Sequence, residues 1–176
     1  MKRYFVTFFL ALFLANIGVQ SHAASLVLNN TPVEVYFSPN GGAQAAIVQE
    51  LGKARTSILV QAYSFTSAPI GKALIDAARR GVHVVALLDK SQRAERYSSA
   101  TFLANAGIPV LVDAAHFMAH NKVIIVDSNT VITGSFNFTK SAEESNAENV
   151  LIIRSSELAK IYTANWIEHN KHSEAY

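Results

Sequence analysis

"SILVQAYSFTSAPIGKALIDAARRGVHVVALLD", residues 57–89, is the stretch that decides the fold. It opens on "SILVQAY" (57–63) and closes on "VHVVALLD" (82–89), two apolar runs rich in β-branched side chains, the pattern of strands buried on both faces. Between them "APIGKALIDAARRG" (68–81) places apolar residues at helical spacing, with Pro69 in the first turn and Gly81 just past the last. Strand, helix, strand is a βαβ unit, and a crossover of that length joins two parallel strands.

The same grammar continues on both sides. Toward the N-terminus, "VEVYF" (33–37), a Gly-Gly turn and "AQAAIVQELGKA" (43–54) read as strand, turn and helix. Toward the C-terminus, "KSQRAERYSSATFLANAG" (90–107) reads as a polar loop and a helix closed by Gly107, and "IPVLVD" (108–113) as a short strand. The pattern then changes. "KVIIVD" (122–127) and "TVITGS" (130–135) are separated only by Ser128 and Asn129, a hairpin spacing that makes the sheet mixed. "FTKSAEESNAEN" (138–149) is a loop with at most a helical turn, and "VLIIR" (150–154) is a last strand. "SSELAKIYTANWIEHNKH" (155–172) is a final helix, which Ser155 or Ser156 can cap and in which Glu157 puts a negative charge in the first turn. No linker or repeat divides the chain. The expectation is one α/β domain over 24–176, with a mixed, largely parallel β-sheet flanked by helices on both faces.

Residues 1–23 are set apart by composition. Lys2 and Arg3, an apolar run from Tyr4 to Ile17 and the small-x-small ending Ser21-His22-Ala23 predict a cleaved secretory leader and a periplasmic or secreted protein. Without Lys2 and Arg3 the 15 Lys and Arg fall to 13, equal to the 13 Asp and Glu. Global basicity therefore gives no argument for a nucleic-acid partner; attraction has to be local. The absence of cysteine excludes disulfides and thiolate metal sites, so a fold of this size rests on its core.

Chemistry concentrates in "HNKVIIVD" (120–127) and "GSFN" (134–137). His120 and Lys122 are two apart on a strand and share a side, whereas Asp127 tends to the opposite face or the strand end. Ser135 and Asn137 are again two apart, and Gly134 before them leaves room for a close approach. A titratable imidazole, a cation, a hydroxyl and an amide suit a phosphate ester. Glu148, just before the last strand, is placed to orient the histidine or else is a solvated loop carboxylate. His116 and His120 stand four apart, but the segment leads into a strand and no acid completes a ligand set, so no metal site is expected. His83, His169 and His172 are read as structural or solvated. Lys90, Arg93 and Arg96 follow the C-terminal end of a parallel strand and are candidates for flanking phosphates; Trp166 and Tyr162, a helical turn apart, are core or dimer contacts.

"HNKVIIVD" followed by "GSFN" resembles the H-x-K-x4-D and G-S-x-N signature of the phospholipase D superfamily, and the lead-in over 62–89 looks like the strand, helix, strand that precedes it there. The match is closest to that superfamily's small, leader-bearing bacterial endonuclease with a single motif. The resemblance implies a phospholipase D/nuclease-like fold and a two-step reaction through a covalent phosphohistidine. Its catalytic set would be His120, Lys122, Glu148 and Asp127, with Lys122, Ser135 and Asn137 on the substrate phosphate and no cofactor. Asp127, the motif's third letter, is assigned a supporting role because of its position. One motif per chain implies a homodimer sharing a site on its two-fold axis, paired histidines with a bell-shaped pH profile, and activity in chelator. The substrate would be DNA, with RNA as a further candidate, cleaved with little sequence preference. The alternative is membrane phospholipid, against which stands the lack of an apolar insertion that would dock on a bilayer.

Overall fold

In the computed structural model, which describes residues 24–95 and 97–176, the chain folds around one eight-stranded sheet. The leader expected over 1–23, and Arg96, lie outside the described residues. In chain order the elements are β1 (Val33–Ser38), α1 (Ala43–Lys53), β2 (Ser57–Ala62), α2 (Ala68–Arg79), β3 (His83–Asp89), a 3-10 turn (Lys90–Arg93), α3 (Ser99–Asn105), β4 (Val110–Asp113), β5 (Lys122–Val126), β6 (Thr130–Gly134), α4 (Lys140–Glu144), β7 (Glu148–Arg154), α5 (Ser156–Lys171) and β8 (Ser173–Ala175). The βαβ unit is present as read. Ser67 caps α2 by accepting from the Ile70 amide, with Pro69 in its first turn, and β2 pairs with β3 in parallel from Ser57–His83 to Ala62–Leu88.

The strand order is β1-β7-β6-β5-β2-β3-β4-β8. The mixed α/β class and the helices on both faces stand as expected, but parallel pairing is less extensive. Only β2–β3 and β3–β4 are parallel, while the other five neighbouring pairs are antiparallel. The strands β1, β2, β3, β4 and β6 still run one way. The returning strands β5 and β7 slot between them, and each forward strand there acquires antiparallel neighbours.

Two cores result. Ile47 and Leu51 of α1, Ile70 and Leu74 of α2 and Leu103 of α3 pack with Ile58, Val60, Ile124 and Ile152 on one face. On the other face, among the described residues, α5 alone covers Val85, Leu87, Val123, Ile125 and Val131 with Ala159 and Trp166, against which Tyr162 packs. Trp166 donates its indole N–H to the Val60 carbonyl at 2.9 Å, so the aromatic pair on α5 belongs to the core. Ser155 caps α5 through the Leu158 amide. Beyond the reach of α5, Val35 and Phe37 of edge strand β1 stay exposed.

The hairpin turn lies one residue earlier than its spacing suggested. Asp127 and Ser128, rather than Ser128 and Asn129, take the two positive-φ positions (52° and 51°), and the Asn129 amide closes on the Val126 carbonyl at 3.0 Å. Two successive positive-φ residues match the right-handed twist of the strands they join. This topology brings the C-terminal ends of β2, β3, β4 and β6 together with the N-terminal ends of β5 and β7 at one edge of the sheet.

Candidate active site

At that edge the chain must pass from β4 to β5 across the ends of β3 and β2, and residues 114–121 make this crossing. Each strand end they cross holds them. Buried Asp89, at the end of β3, accepts from the Ala119 amide at 2.7 Å, and the Tyr63 amide beyond β2 donates to the Asn121 carbonyl at 2.8 Å. Burial alone would raise the Asp89 carboxyl, but hydrogen bonds from Ser91 and Ala119 outweigh it and hold the group below its usual range. His120 is thus an exposed residue on a fixed backbone. Its ring rests on Tyr63, centroids 4.6 Å apart and planes tilted by 55°.

Lys122 is 9% exposed. Its ammonium donates to the His120 carbonyl at 2.9 Å and stands 5.1 Å from the centroid of the Tyr63 ring. Burial pushes this ammonium below the ordinary lysine range, against the upward pull of the Glu148 charge. Tyr63, which touches both members of the pair, lies just past the end of β2. Its one signal in the sequence was its place at the C-terminal end of a central parallel strand, where α/β sheets hold ligands.

The second half of the site comes from β6 and β7. Gly134 is needed there, because a Cβ would sit 2.2 Å from the Asn149 carbonyl oxygen. That close approach delivers the Ser135 hydroxyl to Glu148, to whose carboxylate it donates at 2.6 Å while accepting from the Asn149 amide at 3.1 Å. Asn146 donates to the other Glu148 oxygen at 3.1 Å. Asn137 follows in the same loop, its side-chain oxygen buried with no hydrogen-bond partner among the described residues.

His120, Lys122, Ser135, Asn137 and Glu148 therefore share one edge, though not in the arrangement expected of Glu148. Its carboxylate holds Ser135 and Asn146 rather than the imidazole, and among the described residues no hydrogen bond reaches the His120 ring. Asp127, expected with the catalytic set, stands apart from these five residues. It lies at the opposite end of β5, about 20 Å from His120 at the rise of a strand. There its carboxylate accepts from the amides of Arg55, Thr56 and Ser57 and from the Thr56 hydroxyl at 2.8–3.0 Å. Of the flanking cations, Lys90 donates to the His116 carbonyl and Arg93 to the Ala175 carbonyl, both at 2.9 Å. The apolar element not foreseen in the sequence is in the crossing loop itself, where Phe117 is 92% and Met118 44% exposed.

Residues 47–169 match the family model described as "Cardiolipin synthase, PLD-like domain". A protein named Phospholipase D from Rickettsia prowazekii is 45% identical over 148 residues, covering 84% of this chain and 72% of its own. Among solved structures, Nuc from Salmonella typhimurium, described as a phospholipase D family member, superposes with a TM-score of 0.80 at 41% identity, covering 83% of this chain and 98% of that one. NucT from Helicobacter pylori shares the fold, with a TM-score of 0.77 at 22% identity over 83% of this chain and 99% of that one.

Proposed function

The chain belongs to the phospholipase D superfamily, and on that premise we propose that it is a metal-independent endonuclease, hydrolysing phosphodiester bonds of DNA and RNA with little sequence preference. The observation that carries the reading is the pairing, at one sheet edge, of an exposed imidazole held by its backbone with a nearly buried ammonium two residues away. The imidazole is unencumbered, which a nucleophile needs, and the cation is desolvated, which strengthens its grip on a phosphoryl oxygen.

One protomer offers half of what the chemistry requires. Hydrolysis through a phosphohistidine needs one imidazole to attack and another to protonate the leaving oxygen, and a two-fold dimer supplies both from a single motif. One His120 forms a bond to phosphorus as the bond to the leaving oxygen breaks, and the partner's His120 gives that oxygen its proton. The same imidazole then takes a proton from water, whose oxygen displaces the first His120 and restores it. Lys122 and Asn137 of both protomers meet the phosphoryl oxygens, and Ser135 joins them when its hydroxyl turns from the Glu148 carboxylate, to which it donates in the free protomer. Because one histidine starts neutral and the other protonated, turnover follows a bell-shaped pH profile. A cleaved leader would deliver the enzyme to the periplasm or the medium.

A second reading has its own support: exposed Phe117 and Met118 beside His120 would suit a phospholipid substrate presented at a membrane surface. The deciding experiment compares the purified protein and its His120→Ala variant, in EDTA, on plasmid DNA and on phosphatidylcholine vesicles. Plasmid loss with the parent protein alone establishes the nuclease, head-group release alone establishes the lipase, and DNA cleavage that survives His120→Ala refutes the mechanism.

A further inference from the structure

We propose that Asp113, His116, His169 and His172 form a binding site for one divalent transition-metal ion, zinc above all, which fastens the end of α5 to the loop that carries His120. The four residues come from three places: the end of β4, the crossing loop, and the junction of α5 with β8. In sequence, His169 and His172 lie at a helix end and no acid neighbours His116 in a familiar ligand spacing. The structure closes them on one fully buried carboxylate. The His169 Nδ1 lies 2.7 Å and the His116 Nδ1 2.9 Å from Asp113 Oδ2, with the His172 Nε2 at 3.5 Å. One ligand atom from each residue falls within 4.8 Å of all the others.

A tetrahedral zinc ion with bonds of about 2.0–2.1 Å has ligand–ligand edges of about 3.3 Å, so the set reaches that geometry with shifts of no more than about 1.5 Å. Hydrogen bonding alone explains the convergence less well. Asp113 already accepts from the amides of Ala115 and His116, and a carboxylate has about four acceptor positions. Three imidazoles crowd the remainder, their ring centroids 4.7, 5.1 and 5.5 Å apart, and three protonated rings at such spacings would repel one another. As neutral ligands they offer three nitrogens and one carboxylate oxygen, a set that favours zinc and its transition-metal neighbours over magnesium or calcium. Four protein ligands leave no open position, which marks a structural ion rather than one that activates water.

The location gives the ion a task. β8 is three residues long, and among the described residues α5 alone covers the second face of the sheet. An ion here would anchor both to the crossing loop four residues before His120, on the far side of Phe117 from the Ala119–Asp89 anchor. It would stand apart from the phosphate, so turnover in chelator is compatible with it, and its existence does not depend on the proposed nuclease.

The test uses the purified chain without a polyhistidine tag, stripped with EDTA and titrated with Zn²⁺ by calorimetry, with Co²⁺ as a spectroscopic reporter and thermal unfolding recorded with and without metal. The expected result is one equivalent bound per chain, intense visible bands of tetrahedral cobalt and a higher Tm with metal. His116→Ala and His169→Ala should each weaken binding by at least about tenfold, and His83→Ala should leave it unchanged. Should His169→Ala fail to fold, His116→Ala, in a loop, carries the test. Absence of stoichiometric binding, or binding indifferent to these ligand substitutions, overturns the proposal. None of these readouts involves turnover.

Discussion

Replacing Asp127 separates a supporting role from a catalytic one. The carboxylate gathers four donors, the amides of Arg55, Thr56 and Ser57 and the Thr56 hydroxyl, tying the entry of β2 to the hairpin turn. A hydrogen bond to a charged group is worth about 1.5–3 kcal/mol when well shielded. Arg55 and Thr56 are exposed and their amides would turn to water, whereas Ser57 is partly buried and would lose more. Asp127→Ala should therefore cost about 2–4 kcal/mol, and Asp127→Asn, which keeps a neutral acceptor, about 1–2 kcal/mol. The measurement is urea unfolding near neutral pH, with the midpoint shifting at constant slope, alongside turnover of the folded protein. The pH dependence has a definite sign. Burial would raise the Asp127 carboxyl, but the amide and hydroxyl donors outweigh it and lower its pKa. The contribution is thus complete above the unfolded value of about 3.9 and disappears as pH falls through the lower folded value. Asp127→Asn should accordingly lose its stability deficit in acid. Unchanged stability with turnover reduced more than about 100-fold would refute this assignment and return Asp127 to the reaction.

Lys122→Met should lower turnover by about 10²–10³-fold while leaving the urea midpoint unchanged or higher, since a nearly buried cation is traded for an apolar chain. Because burial lowers the Lys122 ammonium, its own titration, followed by NMR of the lysine side chain, should fall below the ordinary lysine value of about 10.4, whereas the alkaline limb of turnover belongs to the protonated histidine. Gly134→Ala forces a methyl against the Asn149 carbonyl and should cost about 2–4 kcal/mol in urea unfolding, with loss of activity as Ser135 is displaced. Phe117→Ser, at a 92% exposed position, should leave folding and DNA cleavage unchanged. A parallel loss of vesicle binding and turnover would favour the phospholipid reading.

Local periodicity made β2, α2, β3, the β5–β6 hairpin and α5 legible, because each is decided by residues within a turn or two of one another. The candidate pair His120 and Lys122 was legible for the same reason, and so was the displacement of Asp127 to a strand end, since side-chain alternation and strand length are local properties. What escaped depends on pairing across the chain. Glu148 was offered to His120 by order along the sequence, but antiparallel pairing of β6 with β7 sets it against Ser135. Nothing near Tyr63 announces that residues 119–122 will cross above it. His169 looked solvated because its helix ends there, yet β8 folds back along β4 and carries it onto Asp113, 56 residues earlier. A three-residue polar strand such as β8 has no periodicity to detect.

Edge strand β1 carries a cost in time. Val33 pairs with Ile153, 120 positions later, and among the described residues β7 is the only neighbour β1 has in the sheet. At roughly 5–20 residues per second of synthesis, β1 emerges about 6–24 s before the strand that will receive it. During that interval Val33, Val35 and Phe37, which stay exposed even in the finished fold, form an extended apolar segment with no partner. Chaperones that grip such segments have that long to act on the nascent chain before its own β7 can compete.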